Sequence, residues 1–250
     1  MAGGGMNSLA RSTDTAPSLL SVRGLTRHFG GLTAVEDVSF EIADGEMRCI
    51  IGPNGAGKST VLNMLCGTLK PTAGSILFEG RDLARLSLEG IARAGIARKF
   101  QVPSVFETLS VADNLDVAEA GAGGAGTRHS VEEVLDLLDL RRLADIRGGA
   151  LAHGQKQWLE IGMALVTGPK LLLLDEPTAG MSVEESLRSA AMLRQLAGSV
   201  AIIAIEHDMR FVRALACRTT VLHQGRVIAE GPFAEIEANT MVRDVYLGRQ

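Results

Sequence analysis

The chain has 250 residues, of which 46% are hydrophobic, 22% charged and 4% aromatic, a composition that predicts a soluble globular protein with a full core. With 25 basic and 29 acidic residues, its net charge of −4 argues against general binding to nucleic acid or anionic lipid. Three cysteines without CxxC spacing argue against a disulfide framework or a zinc site, and no apolar run approaches the roughly 20 residues that cross a bilayer.

The N-terminal part of the chain is predicted to alternate short strands with turns. Residues 1–17 are rich in Gly, Ser and Thr and should form a disordered tail. Turns are predicted at Gly30-Gly31 and, as a hairpin, at Asp44-Gly45. Strands are predicted at 18–25, 34–42 and 46–52, a helix at 61–69, and a second hairpin-like stretch at 74–80, which ends at Arg81.

The middle of the chain, about 83–167, changes to a helical pattern. Its apolar spacing predicts amphipathic helices at 110–120 and 130–140, joined by a flexible Gly-rich connection at 121–126. Strands and helices then alternate again and end in a hairpin. These later elements are 170–176, 182–196, 200–206, 207–216 and 219–231. Two blocks of strands and helices that flank a helical block predict an α/β core with an inserted helical subdomain.

One segment fits the phosphate-binding pattern GxxxxGK[ST], for which a chance match in this chain has odds below about one in a hundred. The predicted ATP-binding residues here are Gly52, Pro53, Asn54, Gly55, Ala56, Gly57, Lys58, Ser59 and Thr60. Glycines let backbone N–H groups approach phosphate oxygens, and the N-terminus of the following helix adds partial positive charge. Lys58 should reach the β- and γ-phosphates, and Ser59 should bind Mg²⁺. An apolar strand before the segment and a helix after it favour this interpretation over an ordinary Gly-rich turn.

A second feature is the carboxylate pair that closes the apolar run 171–174. A strand end beside the phosphate loop is where an α/β sheet collects its ligands. Asp175 should hold Mg²⁺, directly or through water, and Glu176 should polarise the attacking water as general base. The pair therefore predicts a hydrolase that acts on a nucleoside triphosphate.

Four further motifs resemble those of the ABC ATPase family and occur in the family's order. One of them, which resembles the signature motif that usually reads LSGGQ, consists of Leu151, Ala152, His153, Gly154 and Gln155. Gln101 resembles the Q-loop glutamine, His207 the switch histidine and Phe29 the aromatic that stacks on adenine. The resemblance covers about residues 18–248, and on these motifs the chain is identified as a member of the family.

The resemblance implies a P-loop NTPase core of the ABC type over 18–248, with an N-terminal antiparallel β-subdomain and an α-helical subdomain inserted at about 83–167. It also implies roles for the motif residues. Gln101 would reach Mg²⁺ and the lytic water, and His207 would form a hydrogen bond with the γ-phosphate. The signature would face the γ-phosphate of the opposite subunit, so that ATP and Mg²⁺ are bound between two ATPase subunits.

Three residues depart from the family pattern. Ala152 replaces the usual Ser, His153 replaces the first Gly, and Ser182 replaces the usual Asp of the segment after Glu176. The loss of the Ser hydroxyl removes one contact to the opposite γ-phosphate. We therefore expect one composite nucleotide site to be weakened, while the site built on Lys58 and Glu176 stays intact.

Longer segments resemble one group of importers, those for branched-chain amino acids and urea. The most specific segments are LAHGQKQWLEIGMAL, DEPTAGM and VLHQGRVIAEG, which look like the ATP-binding subunit of bacterial transporters for urea and short-chain amides. The resemblance implies the ATP-hydrolysing motor subunit of such an importer. A branched-chain amino acid importer is the alternative in the same class. A soluble ABC ATPase acting on nucleic acid or ribosomes is the alternative in another class, but the single phosphate loop and the acidic balance argue against it.

The resemblance also implies partners. These are transmembrane permease subunits, a second ABC ATPase subunit in a homo- or heterodimer and, indirectly, a periplasmic solute-binding protein, with no nucleic acid. The protein would lie peripherally on the cytoplasmic face of the inner membrane. Permease helices would dock beside the Q-loop, where the candidate contacts are Val102, Pro103, Val105 and Phe106. Trp158, the only tryptophan, is expected in the core.

Overall fold

The computed structural model describes residues 18–99, 105–122 and 129–247, which form two β-sheets and the α-helices around them. The predicted tail at 1–17 and most of the predicted connection at 121–126 lie outside the described residues. The strands are β1 (Leu20–Phe29), β2 (Leu32–Ile42), β3 (Met47–Ile51), β4 (Ala73–Phe78), β5 (Arg81–Asp82), β6 (Ile96–Lys99), β7 (Leu171–Asp175), β8 (Ala201–Glu206), β9 (Arg218–His223) and β10 (Arg226–Pro232). The α-helices are α1 (Lys58–Leu65), α2 (Leu88–Arg93), α3 (Val111–Gly121), α4 (Val131–Leu137), α5 (His153–Leu165), α6 (Val183–Leu196), α7 (Met209–Leu215), α8 (Phe233–Ala238) and α9 (Thr240–Leu247).

The N-terminal strands form the antiparallel sheet that the sequence predicts. Its strand order is β2-β1-β4-β5. The predicted turn at Gly30-Gly31 joins β1 to β2 and pairs Phe29 with Leu32. This hairpin contacts the turn between β9 and β10, which belong to the second sheet. The N–H of Glu36 on β2 donates to the carbonyl of Gly225 in that turn at 2.8 Å.

The hairpin predicted at Asp44-Gly45 is wrong. The chain does turn there, with Gly45 at φ +69°, but β3 leaves the antiparallel sheet and pairs in parallel with β8 and β9. The reason is burial: every residue of β3 is buried, which suits the interior of a parallel sheet covered on both faces. The turn residue also packs closely, since a Cβ on Gly45 would lie 2.8 Å from the Cα of Gly198.

The second sheet has six strands in the order β10-β9-β3-β8-β7-β6 and carries the site residues. In β7, Leu172 and Leu174 pack into a core shared with the helices α3 to α7. Leu171 and Leu173 face the other way and pack into a core shared with α1 and the antiparallel sheet. The central strands are therefore fixed between two apolar layers, as the continuous apolar runs predict.

One strand lies inside the range 83–167 for which the sequence gives a helical pattern. This strand, β6, pairs in parallel with β7 at the edge of the six-stranded sheet. Its sequence, IARK, has two charged residues in four and no apolar run, so periodicity did not predict it. The predicted amphipathic helices correspond to α3 and α4, and Trp158 is 5% exposed on α5, as expected for a core residue. In the part of the chain that the structure describes, no helix has both the length and the apolar character needed to cross a bilayer.

Candidate functional site

The phosphate loop connects β3 to α1, with Lys58, Ser59 and Thr60 as the first residues of the helix. Two of its glycines are required by close packing. A Cβ on Gly52 would lie 2.2 Å from the carbonyl oxygen of Leu222, and a Cβ on Gly57, at φ +100°, would lie 2.5 Å from that of Ala34. No side chain fits in either place without moving the backbone, so the loop is held against both sheets.

Lys58 lies across the loop that it follows. Its ammonium group donates to the carbonyl oxygens of Gly52 at 2.7 Å and Pro53 at 3.0 Å. Burial lowers the pKa of Lys58 from its usual value, while the nearby carboxylates of Glu176 and Asp175 act in the opposite direction. Lys58 and the carboxylate pair, which the sequence predicts separately, therefore lie close together, and the ammonium group is held on the carbonyls of the loop.

The carboxylate pair and the predicted switch histidine follow neighbouring strands. Asp175 ends β7 and His207 comes directly after β8, which lies between β7 and β3. The imidazole Nδ1 of His207 is 3.5 Å from Oε1 of Glu176. Glu176 has a left-handed backbone, at φ +47°, which is a strained conformation for a residue with a side chain. Glu176 lies beside His207, whereas Asp175 pairs with Arg98, so the two neighbouring carboxylates have different partners.

A buried glutamate that the sequence analysis did not single out connects these two loops. Glu206 is 1% exposed, and its carboxylate accepts hydrogen bonds from the N–H of Thr178 at 3.1 Å, the hydroxyl of Thr178 at 2.7 Å and the N–H of His207 at 3.2 Å. Burial raises the pKa of Glu206, whereas these hydrogen bonds lower it. The sequence signal was an acidic residue at the end of the apolar run 200–205. Glu206 fixes the segment after Glu176 relative to His207.

The residues predicted to hold Mg²⁺ fit that ion by their chemistry. Ser59 supplies a hydroxyl from the first turn of α1, and Asp175 supplies a carboxylate at the end of β7. Among the described residues, no group of three or more His, Cys, Asp or Glu could form a metal cage. Mg²⁺ is commonly bound by one or two protein oxygens together with substrate phosphates, so a small oxygen set beside a phosphate loop suits it. Gln101, the third predicted ligand, lies outside the described residues.

Phe29 lies at the end of β1 with 45% of its surface exposed, and it is not part of the core. The guanidinium of Arg27 lies 4.7 Å from the centre of the Phe29 ring. The hairpin that carries Phe29 continues through β2 to Ala34, whose carbonyl packs against Gly57 of the phosphate loop. An exposed ring on a hairpin that contacts the phosphate loop can stack on a flat nucleobase.

The signature residues begin the helix α5, in which Ala152 is the N-cap residue. The side chain of Gln155 accepts a hydrogen bond from the N–H of Ala152 at 2.9 Å. Alanine has no oxygen to return a bond to the backbone of residue 155, so this cap is half formed, whereas Ser182 and Glu185 form a complete capping box at the start of α6. Ser182, a departure from the family pattern, therefore acts as a helix cap.

The other departure, His153, makes a contact within its own subunit. Its Nε2 lies 2.9 Å from the carbonyl oxygen of Ala179, so that the imidazole N–H donates to the segment after Glu176. A Cβ on Gly154 would lie 2.8 Å from Oε1 of Glu185, which shows how closely the signature approaches the start of α6. The structure thus brings the phosphate loop, Asp175, Glu176 and His207 together and places the signature against residues 179–185.

Comparisons with known proteins agree with this arrangement. The family model described as ABC transporter matches residues 35–179. The chain belongs to the ABC transporter family. It is 38% identical to the high-affinity branched-chain amino acid transport ATP-binding protein LivG of Salmonella typhimurium, over 92% of this chain and 98% of that protein. It is also 36% identical to the lipopolysaccharide export system ATP-binding protein LptB of Acidithiobacillus ferridurans, over 93% of this chain and 98% of that protein.

Solved structures give the same result. The ADP conformation of MJ1267, an ATP-binding cassette of an ABC transporter, superposes with a TM-score of 0.82 at 29% identity and covers 94% of this chain and 100% of that one. The predicted fold class is therefore confirmed, and the chain is the ATP-binding subunit of an ABC transporter and an ATPase. These matches favour the alternative for branched-chain amino acids over the expectation of a urea transporter.

We predict that Ala152→Ser stabilises the protein by about 1 kcal/mol, because a hydroxyl at this position would complete the half-formed cap of α5. Urea denaturation of both proteins measures the difference. Ala150→Ser, an exposed position just before the signature, is the matched control and should change stability by less than about 0.5 kcal/mol. If Ala152 weakens a composite site, the same variant raises ATP turnover of the assembled complex. Unchanged turnover would contradict that hypothesis.

We predict that Glu176→Gln lowers ATP turnover by roughly 10²–10⁴-fold, the usual contribution of a general base, while ATP binding persists. Steady-state phosphate release and equilibrium nucleotide binding measure the two effects separately. Glu41→Gln, on the exposed face of the antiparallel sheet, should leave both unchanged. A Glu176→Gln variant with normal turnover would mean that another residue activates the water.

Proposed function

We propose that this chain is the ATP-hydrolysing subunit of an importer for branched-chain amino acids. The observation that carries the proposal is the similarity to LivG over nearly the whole length of both proteins. BraF of Pseudomonas aeruginosa, also described as a high-affinity branched-chain amino acid transport ATP-binding protein, is 36% identical over 92% of this chain and 98% of that protein, which supports the same solute class. Hydrolysis of ATP would drive solute uptake through separate membrane subunits.

The site geometry supports a division of roles among the residues. The amides of the phosphate loop and Lys58 would bind the β- and γ-phosphates, and Phe29 would stack on adenine. Ser59, Asp175 and Gln101 would hold Mg²⁺, which neutralises the charge that develops on the phosphates when it is bound. Glu176 would take the proton of the attacking water, because its side chain is partly exposed and lies beside His207.

His207 and Glu206 would act on the γ-phosphate side of the site. The imidazole of His207 is 60% exposed in its side chain, so it can reach a ligand while its backbone N–H is held by Glu206. The same carboxylate holds Thr178, two residues after Glu176. Because the segments that carry the base and the histidine are both anchored to one buried group, they can keep a water molecule in line without rearrangement.

Two subunits would share each ATP molecule. The signature residues 151–155 of one chain would close the nucleotide site of the other, with the N-terminus of α5 directed at the γ-phosphate. The partner would be a second ABC ATPase subunit, identical or related. The closed pair would then be favoured only when ATP is bound, and hydrolysis would release it.

Permease subunits would dock on a groove beside the edge strand β6. This groove has a volume of about 580 Å³ and is lined by residues of α2, β6, α3 and the end of α5. Leu88, at the start of α2, is 56% exposed and lies at its rim. The sequence candidates do not line this groove: Phe106 is 48% exposed and Val105 packs partly on the core, but both lie outside it, and Val102 and Pro103 lie outside the described residues. Such docking would place the subunit peripherally on the cytoplasmic face of the inner membrane, with a periplasmic solute-binding protein as an indirect partner.

Urea is the second candidate solute, and one observation favours it. The segment 151–165, LAHGQKQWLEIGMAL, resembles the ATP-binding subunits of urea and short-chain amide transporters more closely than the general ABC signature. This segment forms α5 and the residues just before it, and as part of the ATP-binding subunit it would not contact the solute itself. The solute therefore has to be decided by transport measurements.

We predict that a strain lacking this chain loses uptake of radiolabelled leucine, because the permease would have no source of ATP-driven movement. Uptake should return with the unchanged chain and not with Glu176→Gln. Urea uptake, measured in the same strains, is the discriminating control and should be unaffected. Loss of urea uptake with normal leucine uptake would contradict the proposal and support the second candidate.

We also predict that Leu88→Asp abolishes co-purification with the permease, because it places a charge on the apolar rim of the groove. The helix itself should tolerate the change, since an acidic residue is favourable in the first turn. Leu187→Asp, a similarly exposed leucine on α6 outside this groove, is the matched control. Equal recovery of permease with both variants would exclude the groove as the docking surface.

A further inference from the structure

Two consecutive basic residues at the end of β6 face opposite sides of the six-stranded sheet. In the register with β7, Arg98 lies beside Leu173 and Lys99 lies beside Leu174. Leu173 belongs to the core that contains α1, and Leu174 to the core that contains α5, because side chains alternate along a strand. The two charges are therefore buried in different layers of the protein.

On the first face, Arg98 connects Asp175 to the helix that follows the phosphate loop. Its guanidinium donates to Oδ2 of Asp175 at 3.0 Å and to Oδ1 of Asn63 at 2.6 Å. The side chains of Arg98 and Asp175 are only 10% and 7% exposed, so water screens the pair weakly. The planar fork of arginine holds the carboxylate and α1 in one arrangement, which a point charge could not do equally well.

On the second face, Lys99 pairs with a glutamate of the signature helix. Its ammonium lies 3.6 Å from Oε2 of Glu160, with side-chain exposures of 1% and 7%. Glu160 is seven residues after His153, on the same helix. A buried ion pair contributes little to stability compared with apolar residues of similar volume, because desolvation of both charges offsets their attraction. Its value here is to fix the position of α5 against β6.

We propose that Arg98 and Lys99 are positioning residues that join the Asp175 carboxylate to the signature helix α5 through a single strand. The proposal rests on the proposed roles of Asp175 and the signature. A change in the position of Asp175 when nucleotide and Mg²⁺ bind is passed to β6 by the Arg98 fork. The same strand then carries it to α5 through the Lys99 pair, so that the site and the signature respond together.

Trp158 provides a reporter within the chain. It is the only tryptophan, and it lies on α5 two residues before Glu160, where its indole N–H donates to the hydroxyl of Ser189 at 2.8 Å. Its emission reports the position of α5, while a fluorescent ATP analogue in EDTA or Mg²⁺ reports binding. Both measurements use the full chain with Glu176→Gln, which should slow turnover enough for ATP to stay intact while they are made.

The first test replaces the Lys99 pair. The double variant K99M/E160L removes both charges together, so that no lone charge is buried. We expect it to bind the ATP analogue normally and to lose the Trp158 response to Mg-ATP, while Lys99→Arg retains most of that response. Lys170→Met breaks an exposed ion pair and is the matched control, with a full response. An unchanged response in the double variant would overturn the proposal.

The second test keeps the charge of Arg98 and removes its fork. We expect Arg98→Lys to raise the Mg²⁺ concentration for half-maximal Trp158 response by about tenfold, the usual effect of losing a partner of a metal-binding carboxylate. Binding of the analogue in EDTA should stay the same, and Arg23→Lys on the antiparallel sheet is the control. A normal Mg²⁺ dependence in Arg98→Lys would overturn the proposal. So would a constant Trp158 emission on Mg-ATP binding in the protein that keeps both Arg98 and Lys99. Failure of the unchanged chain to bind ATP would overturn the proposed function as well.

Discussion

The site depends on the lateral register of three adjacent parallel strands, β3, β8 and β7. Their residues are buried on both faces, and the pairing aligns Ile51 with Glu206 and Asp175 with Ile205. The three strands therefore end at one level, and the loops that leave them emerge side by side. A slip of one residue would turn the side chains of β7 to the opposite layers, and it would cost the burial of leucines in two cores at once. The apolar runs thus fix the positions of polar groups that lie just beyond them.

The phosphate loop is held from two further directions. The carbonyl of Ala56 accepts a hydrogen bond from the N–H of Gly225 at 3.1 Å, and Gly225 packs against Ala34 of β2. The turn between β9 and β10 thus lies between the loop and the antiparallel sheet. Because Gly57 approaches the same carbonyl of Ala34, the loop, the turn and the hairpin that carries Phe29 form one packed unit. An anion site whose backbone amides are already fixed needs little ordering when phosphate arrives.

The sequence identified the parts of the site that have a local pattern. The phosphate loop, the carboxylates after the run 171–174 and His207 all follow continuous apolar segments, and the structure brings them together. Contacts between distant residues had no such pattern. Glu206 ends a predicted strand, and nothing in the sequence indicates that it binds Thr178. The charges of Arg98 and Lys99 leave β6 without an apolar pattern. The hairpin predicted at Asp44-Gly45 fails because turn chemistry is local, whereas the choice of sheet for β3 depends on its burial beside β8 and β9.

The departures from the family pattern acquire different meanings once their contacts are known. His153 and Ser182 both make hydrogen bonds inside the subunit, one to the carbonyl of Ala179 and the other as the cap of α6. Ala152 makes no side-chain hydrogen bond and leaves its helix half capped. The signature is therefore attached to the segment that follows Glu176 by His153 and to β6 by the Lys99 pair. These two attachments fix α5 against the elements that carry Asp175 and Glu176.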